Sequence, residues 1–292
     1  MKSKVIITGG SGLLGSALRQ RFADCRVIAP PHDELDITEA AQVERLVARE
    51  QADLIIHCAA MTAVDECERQ PEEAYRVNAR GTRNLAESAA RHQARLIAVS
   101  TDYVFSGDAG RPYSEDDIAA PRCVYGASKL AGEIACELVC RDHVIARVSW
   151  VFGPGRVCFI DQLVDLGSRE DEIAPVRVAH DQKSVPTSTR SAARAIRALA
   201  ESKQRGVFHV TSPEGCSRYQ LARAVFEILD LPRRLEPCAM ADFDSLAARP
   251  EDSRLDTRKL TDLGLVTMPH WRDELAAYLL ETYGSGNQSQ SM

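Results

Sequence analysis

A glycine-rich turn near the start of the chain follows an apolar run and precedes a helical pattern. The run at residues 4–8 leads into Thr-Gly-Gly-Ser-Gly-Leu-Leu-Gly, in which Gly9, Gly12 and Gly15 are spaced three apart. Glycine lets the backbone turn tightly and approach a pyrophosphate, and the N-terminus of a following helix offers free N–H groups to it. Such spacing also occurs in plain structural turns, but strand, glycines and helix in this order predict a nucleotide-binding loop.

Short apolar runs alternate with longer segments of helical period along most of the chain. Strands are predicted at residues 4–8, 26–29, 54–58, 96–99, 144–150 and 207–211. Helices are predicted at residues 13–23, 40–50, 71–92, 128–140, 190–202 and 219–229. Strand–helix alternation favours right-handed βαβ units, and apolar strands without period-two alternation are typical of strands buried on both faces. The predicted fold class is therefore α/β, a Rossmann-type doubly wound parallel sheet.

This alternation breaks after Trp150, so the second half is expected to form a smaller, discontinuous substrate-binding lobe. A Phe-Gly-Pro-Gly cluster follows at residues 152–155, and residues 231–250 are irregular with three prolines. We predict a dinucleotide-binding domain over residues 1–152, completed by a strand near 207–211. Residues 153–284 are expected to be mainly the substrate-binding lobe. Residues 285–292, rich in Gly, Ser, Gln and Asn, are expected to be a disordered tail.

Composition excludes several classes of function. The chain has 292 residues, 45% of them apolar, and a net charge of −6, which argues against nucleic-acid binding through bulk positive charge but not against a locally held nucleotide. No apolar run reaches the roughly 18 residues of a membrane helix, so no membrane association is expected. Nine scattered cysteines without a C-x-x-C pair predict a reducing, cytoplasmic location. No His/Cys cluster has zinc spacing, so no metal site is predicted.

Tyr125 and Lys129 are four residues apart, a spacing that places two side chains on one face of a helix. A free tyrosine has a pKa of about 10, and a neighbouring ammonium favours the phenolate and lowers that pKa. Such a pair can pass a proton to a carbonyl oxygen as hydride reaches its carbon, although a surface contact has the same spacing. Upstream, the run at 96–99 ends in Ser100 and Thr101, at the sheet edge where ligands bind. Their hydroxyls could contact a substrate carbonyl or merely cap the strand.

The dinucleotide fold places an acidic residue after the second strand to hold the adenosine ribose. Here prolines end that strand, and Asp33, Glu34 and Asp36 come slightly later. Asp36 could lie near the adenine, or Asp36 or Thr38 could be the N-cap of the next helix. The choice between NADH and NADPH therefore stays open.

Together these blocks resemble the extended short-chain dehydrogenase/reductase family, whose marks are G-x-x-G-x-x-G, Ser or Thr after the fourth strand, and Y-x-x-x-K. Within it, the chain is similar to the dTDP-4-dehydrorhamnose reductases over almost its whole length. The blocks that carry this resemblance are Ala-Ala-Met-Thr-Ala-Val-Asp at 59–65, Ser-Thr-Asp-Tyr-Val-Phe at 100–105, Tyr-Gly-Ala-Ser-Lys-Leu-Ala-Gly-Glu at 125–133, Arg-Val-Ser-Trp-Val-Phe-Gly at 147–153, and the segments 181–187 and 249–255.

The resemblance implies reduction by NADPH or NADH of the C4 ketone of a dTDP-4-keto-6-deoxysugar, dTDP-4-dehydrorhamnose, to give dTDP-L-rhamnose. A nucleotide-sugar substrate would be the partner, and the resemblance also allows a homodimer. Two alternatives stay open. One is a ketoreductase for another nucleotide deoxysugar, and the other is a dinucleotide-binding regulatory subunit resembling that of methionine adenosyltransferase.

The resemblance also implies site residues. The catalytic set would be Thr101, Tyr125 and Lys129, with Tyr125 as proton donor. The cofactor-binding set would be Gly9, Gly12, Leu13, Leu14, Gly15, Asp36, Ile37, Ala60, Met61, Thr62, Tyr125 and Lys129. The substrate-binding set would be Val64, Thr101, Asp102, Tyr103 and Trp150, although core packing at a strand end is an equal alternative for Trp150.

Three positions depart from the family pattern. Leu13 stands where the glycine loop often has Gln, and Ser184 stands where the D-Q-x-G-x-P-T block usually has Gly. Some members bind magnesium through a Glu in the first helix, where this chain has Ala17. No metal is therefore expected there.

Overall fold

The structure is a computed structural model that describes residues 3–169 and 173–284. Its strands are β1 (Lys4–Thr8), β2 (Arg26–Ile28), β3 (Leu54–His57), β4 (Arg95–Thr101), β5 (His143–Val148), β6 (Val151–Phe152), β7 (Val176–Ala179), β8 (Lys183–Ser184), β9 (Thr187–Ser188), β10 (Gly206–His209), β11 (Cys216–Ser217) and β12 (Leu235–Cys238). Its helices are α1 (Leu13–Arg21), α2 (Ala40–Glu50), α3 (Val64–Arg69), α4 (Pro71–Tyr75), α5 (Thr82–Arg91), α6 (Val124–Val139), α7 (Phe159–Gly167), α8 (Thr189–Glu201), α9 (Arg218–Leu229), α10 (Arg258–Asp262) and α11 (Trp271–Tyr283).

A parallel sheet of six strands, in the order β2-β1-β3-β4-β5-β10, organises the molecule. The order reverses at β1, because the chain moves outward to β2 and then returns to β3 on the other side. In open α/β sheets, ligands bind at the carboxyl ends of the strands, beside such a switch point. The predicted doubly wound α/β sheet is confirmed.

Apolar cores cover both faces of the sheet. One face packs against α1 and α8 through residues such as Leu18, Ile196 and Leu199. The other packs against α2, α5 and α6 through Val47, Leu85 and Cys136, among others. Burial on both sides explains why these strands read as continuous apolar runs, since neither face needs polar residues.

The second half of the chain interleaves with the sheet. Helix α8 packs on α1, and β10 pairs with β5 as the sixth strand. A third core around Phe152, Leu221 and Leu275 joins α7, α9 and α11. The division at residue 152 stays a prediction, and the expected tail at 285–292 lies outside the described residues. Within the described ranges, no helix is long and apolar enough to cross a bilayer.

Several elements differ from the sequence-based expectation. The single helix predicted over 71–92 is divided into α4, one π-helical segment at Arg76–Gly81, and α5. Helix α6 begins at Val124, before the expected residue 128, because the Cys123 sulfur accepts from the Gly126 N–H at its N-terminus. Helices α3, α7, α10 and α11 were not predicted, although Leu275, Tyr278 and Leu279 of α11 have the spacing of a buried helix face.

Candidate active site

A cleft of about 880 Å³ runs along the carboxyl ends of the sheet strands. The loops that follow β1 to β5 line it, together with residues of α6 and the start of α9. Every residue that the sequence analysis assigned to the cofactor, to catalysis or to the substrate lines this one cleft. The individual roles of these residues stay predictions.

The glycine turn after β1 uses its three spaced glycines differently. Gly9 has a φ of +67°, and a Cβ there would lie 2.6 Å from the Ala59 nitrogen. A Cβ on Gly15 would lie 2.1 Å from the Gly9 oxygen. Both glycines are therefore needed by the turn itself. Gly12 has an ordinary φ of −72°, and a Cβ there would meet only the Gly9 oxygen, at 3.1 Å.

Helix α1 begins directly after Gly12, which provides no side-chain cap. The first N–H groups of a helix lack intrahelical acceptors, and the helix dipole favours an anion beside them. Leu13, Leu14 and Gly15 line the cleft at this point. A helix N-terminus without a side-chain cap, preceded by a glycine, fits a pyrophosphate.

The Asp36 carboxylate lies at the β2 end of the cleft. It accepts from the Thr38 N–H at 2.9 Å and lies 3.6 Å from the Arg76 guanidinium. Although partial burial opposes this, the Thr38 groups and Arg76 lower the pKa of Asp36. The N-cap of α2 is Glu39, so neither Asp36 nor Thr38 is the cap. The sequence analysis did not identify Arg76, which begins the π-helical segment and lines the cleft.

Asn78 connects the loop after β3 to helix α6. Its side-chain oxygen accepts from the Met61 N–H at 2.8 Å, and its amide nitrogen lies 3.0 Å from both the Met61 carbonyl and the Ser128 hydroxyl. Ala60, Met61 and Thr62 are the residues assigned to the cofactor on this side. Asn78 therefore holds this loop against the helix that carries Tyr125.

His57, at the end of β3, is buried and neutral. Thr82 donates its hydroxyl hydrogen to the Asn78 carbonyl at 2.6 Å, so it accepts from His57 Nε2–H at 3.0 Å. His57 Nδ1 then accepts from the Thr8 hydroxyl at 2.8 Å. Burial, and to a lesser degree Lys129, lowers the pKa of His57 to about 3. The ring thus joins β1 to α5 without carrying charge.

Helix α6 places Tyr125 and Lys129 on the cleft. The Lys129 ammonium donates to the Val99 carbonyl at 2.8 Å, and burial lowers the pKa of Lys129 to about 8. Burial raises the pKa of Tyr125, while the Thr101 hydroxyl acts in the opposite direction. The pKa of the phenol is therefore raised, opposite to the lowering expected from a neighbouring ammonium. It is protonated near neutral pH, as a proton donor must be.

Asp102 is a buried carboxylate surrounded by hydroxyl groups. Thr101 donates to its Oδ1 at 3.1 Å. Its Oδ2 accepts from Ser149 at 3.1 Å, Ser184 at 2.7 Å and Ser253 at 2.6 Å. Burial raises the pKa of Asp102, and the hydroxyls oppose that shift. Ser184, the departure from the family glycine, thus supplies one of these hydrogen bonds.

This arrangement bears on two assigned roles. The Thr101 hydroxyl directs its hydrogen to Asp102 and accepts from the Tyr103 N–H at 3.2 Å. Donation to a substrate carbonyl would require that hydroxyl to rotate. The Asp102 carboxylate already accepts hydrogen bonds from within the chain, so a substrate hydroxyl would have to compete for it.

Trp150 lies at the β5 end of the cleft with a φ of +36°. Its ring packs against the third core and also lines the cleft, so its role in substrate binding stays a prediction. The Arg218 guanidinium lies 3.7 Å from its ring centroid. Sequence reasoning did not identify Arg218, because it belongs to no motif and is distant from Trp150 in the chain.

No group of three or more His, Cys, Asp or Glu side chains among residues 3–169 and 173–284 is arranged to hold a metal ion. Ala17 packs against the apolar core beneath the sheet. All nine cysteines are free thiols.

A doubly wound sheet whose glycine turn and Tyr–Lys pair meet in one cleft defines a dinucleotide-binding protein of the extended short-chain dehydrogenase/reductase class. Residues 3–283 match the family model described as the RmlD substrate binding domain. The chain belongs to this family.

Relatives and solved structures agree with that assignment. The chain is 38% identical over 279 residues to a dTDP-4-dehydrorhamnose reductase from Streptomyces griseus. The match covers 92% of this chain and 91% of that protein. It is 35% identical over 275 residues, 92% of each chain, to a probable dTDP-4,6-dihydroxy-2-methyloxan-3-one 4-ketoreductase from Streptomyces antibioticus. A dTDP-4-dehydrorhamnose reductase from Bacillus anthracis, solved in complex with NADP, superposes with a TM-score of 0.92 at 33% identity, covering 97% of this chain and 100% of that one.

Proposed function

We propose that this chain reduces the C4 ketone of dTDP-4-dehydrorhamnose to the alcohol of dTDP-L-rhamnose, with NADPH or NADH as the reductant. The observation that carries the proposal is that Thr101, Tyr125 and Lys129 line the same cleft as the glycine turn. Relatives that bear this activity in their names match more than nine-tenths of the chain.

The cleft fits a nicotinamide dinucleotide. The Gly12 backbone and the uncapped start of α1 would hold its pyrophosphate, with Asp36 on the adenine side. Met61 and its neighbours would lie along the middle of the cofactor, and Lys129 beside the nicotinamide ribose. When bound, the cofactor supplies the hydride that reaches the C4 carbon of the sugar.

Tyr125 would donate its phenolic proton to the C4 oxygen, which gains negative charge as the carbon is reduced. One hydride and one proton convert the ketone to a secondary alcohol. Burial keeps the phenol protonated before the reaction, and the Lys129 ammonium favours the phenolate that remains afterwards. The proton is then restored from solvent through the open cleft.

A second candidate is a reductase for another dTDP-linked ketosugar. The Streptomyces antibioticus relative favours it, because that protein matches the chain nearly as well as the dTDP-4-dehydrorhamnose reductases do. A few pocket contacts separate such substrates, and the shared fold does not.

The deciding experiment is turnover of the purified chain against a panel of nucleotide 4-ketosugars with each reduced cofactor. We expect cofactor oxidation with dTDP-4-dehydrorhamnose and appearance of dTDP-L-rhamnose by mass spectrometry. A faster rate with another ketosugar would establish the second candidate. Cofactor binding without turnover of any ketosugar would instead favour the regulatory subunit, to be tested by pull-down with methionine adenosyltransferase.

We also propose a cytoplasmic location. Nine free cysteines support it, because thiols of secreted proteins are commonly oxidised in pairs.

A further inference from the structure

The positively charged side chains of the cleft differ in whether they have a partner within the chain. The lysine and arginine side chains among its lining residues are Arg76, Lys129, Arg156 and Arg218. The first forms an ion pair with Glu73 at 2.6 Å, and the second donates to a backbone carbonyl. Within the part of the chain that the structure describes, the other two arginines have no carboxylate within 4.0 Å. Both arginines lie toward the β5 end of the cleft, beyond the residues assigned to catalysis.

Arg218 is held in a fixed plane by aromatic rings. Its guanidinium lies 3.7 Å from the Trp150 ring centroid and 4.5 Å from that of Phe159. Its Nε donates a long hydrogen bond of 3.4 Å to the Gln182 side chain. The two terminal nitrogens donate to no described residue and are not among the fully buried unpartnered atoms. Arg218 lines the cleft, so these nitrogens are left available to a ligand bound there.

Burial around this guanidinium favours an anionic partner. Desolvation lowers the pKa of Arg218 to about 10, with Tyr103 and Asp102 opposing the shift, so the group is charged at neutral pH but poorly solvated. An unpaired, partly buried cation is costly, and an anion that reaches it offsets that cost. By contrast, Arg223 on the same helix is exposed and paired with Glu227 at 2.8 Å.

The strand order separates Arg218 from the glycine turn. The turn follows β1, and Trp150 follows β5, with β3 and β4 between them. Three strand spacings of about 4.8 Å place the two ends roughly 14 Å apart. A dinucleotide whose pyrophosphate lies at the turn and whose nicotinamide reaches Tyr125 cannot also place that pyrophosphate at Arg218. An anion at Arg218 therefore belongs to the second substrate.

We propose that Arg218 binds the diphosphate of a nucleotide-sugar substrate, with Trp150 and Phe159 holding its guanidinium flat. This inference rests on the proposed function and adds the residue that selects a nucleoside diphosphate over a free sugar. The planar guanidinium presents paired N–H donors that match phosphate oxygens. Arg156, exposed on the loop after β6, adds positive charge to the same end.

The test compares dTDP binding by the full chain, saturated with NADP⁺, in isothermal titration calorimetry. Arg218→Met should weaken dTDP binding roughly 10- to 100-fold, the loss expected for hydrogen bonds to a charged group. Arg218→Lys keeps the charge but loses the planar fork, so a smaller, several-fold loss is expected. Arg223→Met, the same change on the exposed side of α9, should bind dTDP like the parent. All variants should bind NADP⁺ like the parent.

The salt dependence of dTDP affinity separates a direct ionic contact from a merely structural role, because loss of a structural role would not change it. Affinity of the parent for dTDP should fall with added salt more steeply than that of Arg218→Met, because one cationic contact is gone. Parent-like dTDP affinity in Arg218→Met would overturn this inference and leave the proposed function standing. Equal losses of dTDP and NADP⁺ affinity would overturn it too.

If Arg218→Met does not fold, the dTDP affinity of Arg218→Lys tests the inference instead. Unchanged dTDP affinity in a folded Arg218→Lys variant would overturn the inference. Failure of the parent itself to bind dTDP, with NADP⁺ binding intact, would overturn the proposed function together with this assignment.

Discussion

At Tyr125, burial decides the direction of the pKa shift. The phenol is desolvated in the cleft, so its pKa is raised and it holds its proton at neutral pH. Lys129, on the same face of α6, has a pKa lowered to about 8 and still carries charge at neutral pH. A protonated phenol on the same helix face as an ammonium can supply the proton that reduction of a ketone needs.

Tyr125→Phe tests this arrangement because it removes only the hydroxyl and keeps the ring. Turnover should fall by roughly 10²–10⁴, which is the usual contribution of one positioned acid, with cofactor affinity little changed. Lys129→Met should reduce turnover and also weaken cofactor binding, since its ammonium serves both. Steady-state kinetics and calorimetry with NADPH measure the two effects.

The matched control is Tyr75→Phe, at an exposed tyrosine outside the cleft. It should turn over the ketosugar at the parent rate. If Tyr125→Phe does the same, the mechanism is wrong and the regulatory-subunit reading becomes the better one.

Gly12 and Gly15 should respond differently to an added side chain. Gly12→Val adds a side chain beside the uncapped helix start, where a Cβ would meet only the Gly9 oxygen at 3.1 Å, so it should abolish cofactor binding while the fold stays intact. Gly15→Ala would force a Cβ to 2.1 Å from the Gly9 oxygen and should lower the melting temperature itself. NADPH binding by Gly12→Val at parent affinity would remove the turn from the cofactor site.

At the scale of elements, the π-helical segment shows how tertiary contacts alter a helix. Residues 71–92 have the pattern of one continuous helix, yet Arg76–Gly81 is wound more loosely. Asn78 within it turns toward the Met61 backbone, and Gly81 leaves room for Ile37, whose side chain a Cβ would meet at 2.7 Å. The winding of this segment is thus set by its contacts beside the cleft and not by the helical period of its sequence.

Asn78→Ala should loosen the loop that Met61 belongs to. Loss of the side-chain amide leaves the Met61 N–H without its acceptor, so the free energy of unfolding should fall by about 1–3 kcal/mol. NADPH affinity should fall as well, because that loop lines the cofactor side of the cleft. Urea unfolding and calorimetry measure the two quantities.

Ser88→Ala is the control, since it removes a buried hydroxyl from α5 that bonds Glu44 away from the cleft. It should cost stability without changing NADPH affinity. An Asn78→Ala variant that binds NADPH like the parent would refute the proposed link between the π-helical segment and the cofactor.

For the whole molecule, two buried neutral histidines link folding to pH. His57 joins β1 to α5, and His209 on β10 lies 3.0 Å from the Asp256 carbonyl. Burial lowers the pKa of each to about 3, from 6.5, with Lys129 and Arg147 contributing respectively. Below about pH 6.5 the unfolded chain therefore binds protons that the folded chain does not.

Stability should consequently fall as the pH drops from about 6.5 toward 3. Each histidine adds a slope of about 1.4 kcal/mol per pH unit within that window. Between about pH 6 and 5, His209→Phe should reduce the pH slope of the unfolding free energy by about 1.4 kcal/mol per pH unit. This change in slope is expected whatever the substitution does to absolute stability. Urea titrations at several pH values measure the slope, and an unchanged slope would show that His209 is protonated in the folded protein.

Local patterns along the chain predicted the sheet and the position of the cleft. Strand β1 and helix α2 have the bounds expected from the sequence, because hydrophobic periodicity and neighbouring polar residues define them. The glycine turn and the Tyr–Lys pair were recognisable because their chemistry depends on short, regular spacing. A homodimer stays a prediction of the resemblance alone.

The sequence by itself determined the doubly wound α/β class and the positions of the glycine turn and the Tyr–Lys pair, since each depends on residues that are neighbours in the chain. Only the tertiary structure decided the hydroxyl groups around Asp102, which come from the end of β4, the loop after β5, β8 and residue 253. It also decided the stacking of Arg218 on Trp150 and the raised pKa of Tyr125. These features depend on burial and on partners far apart in sequence, and no local pattern records which distant segments folding will bring together.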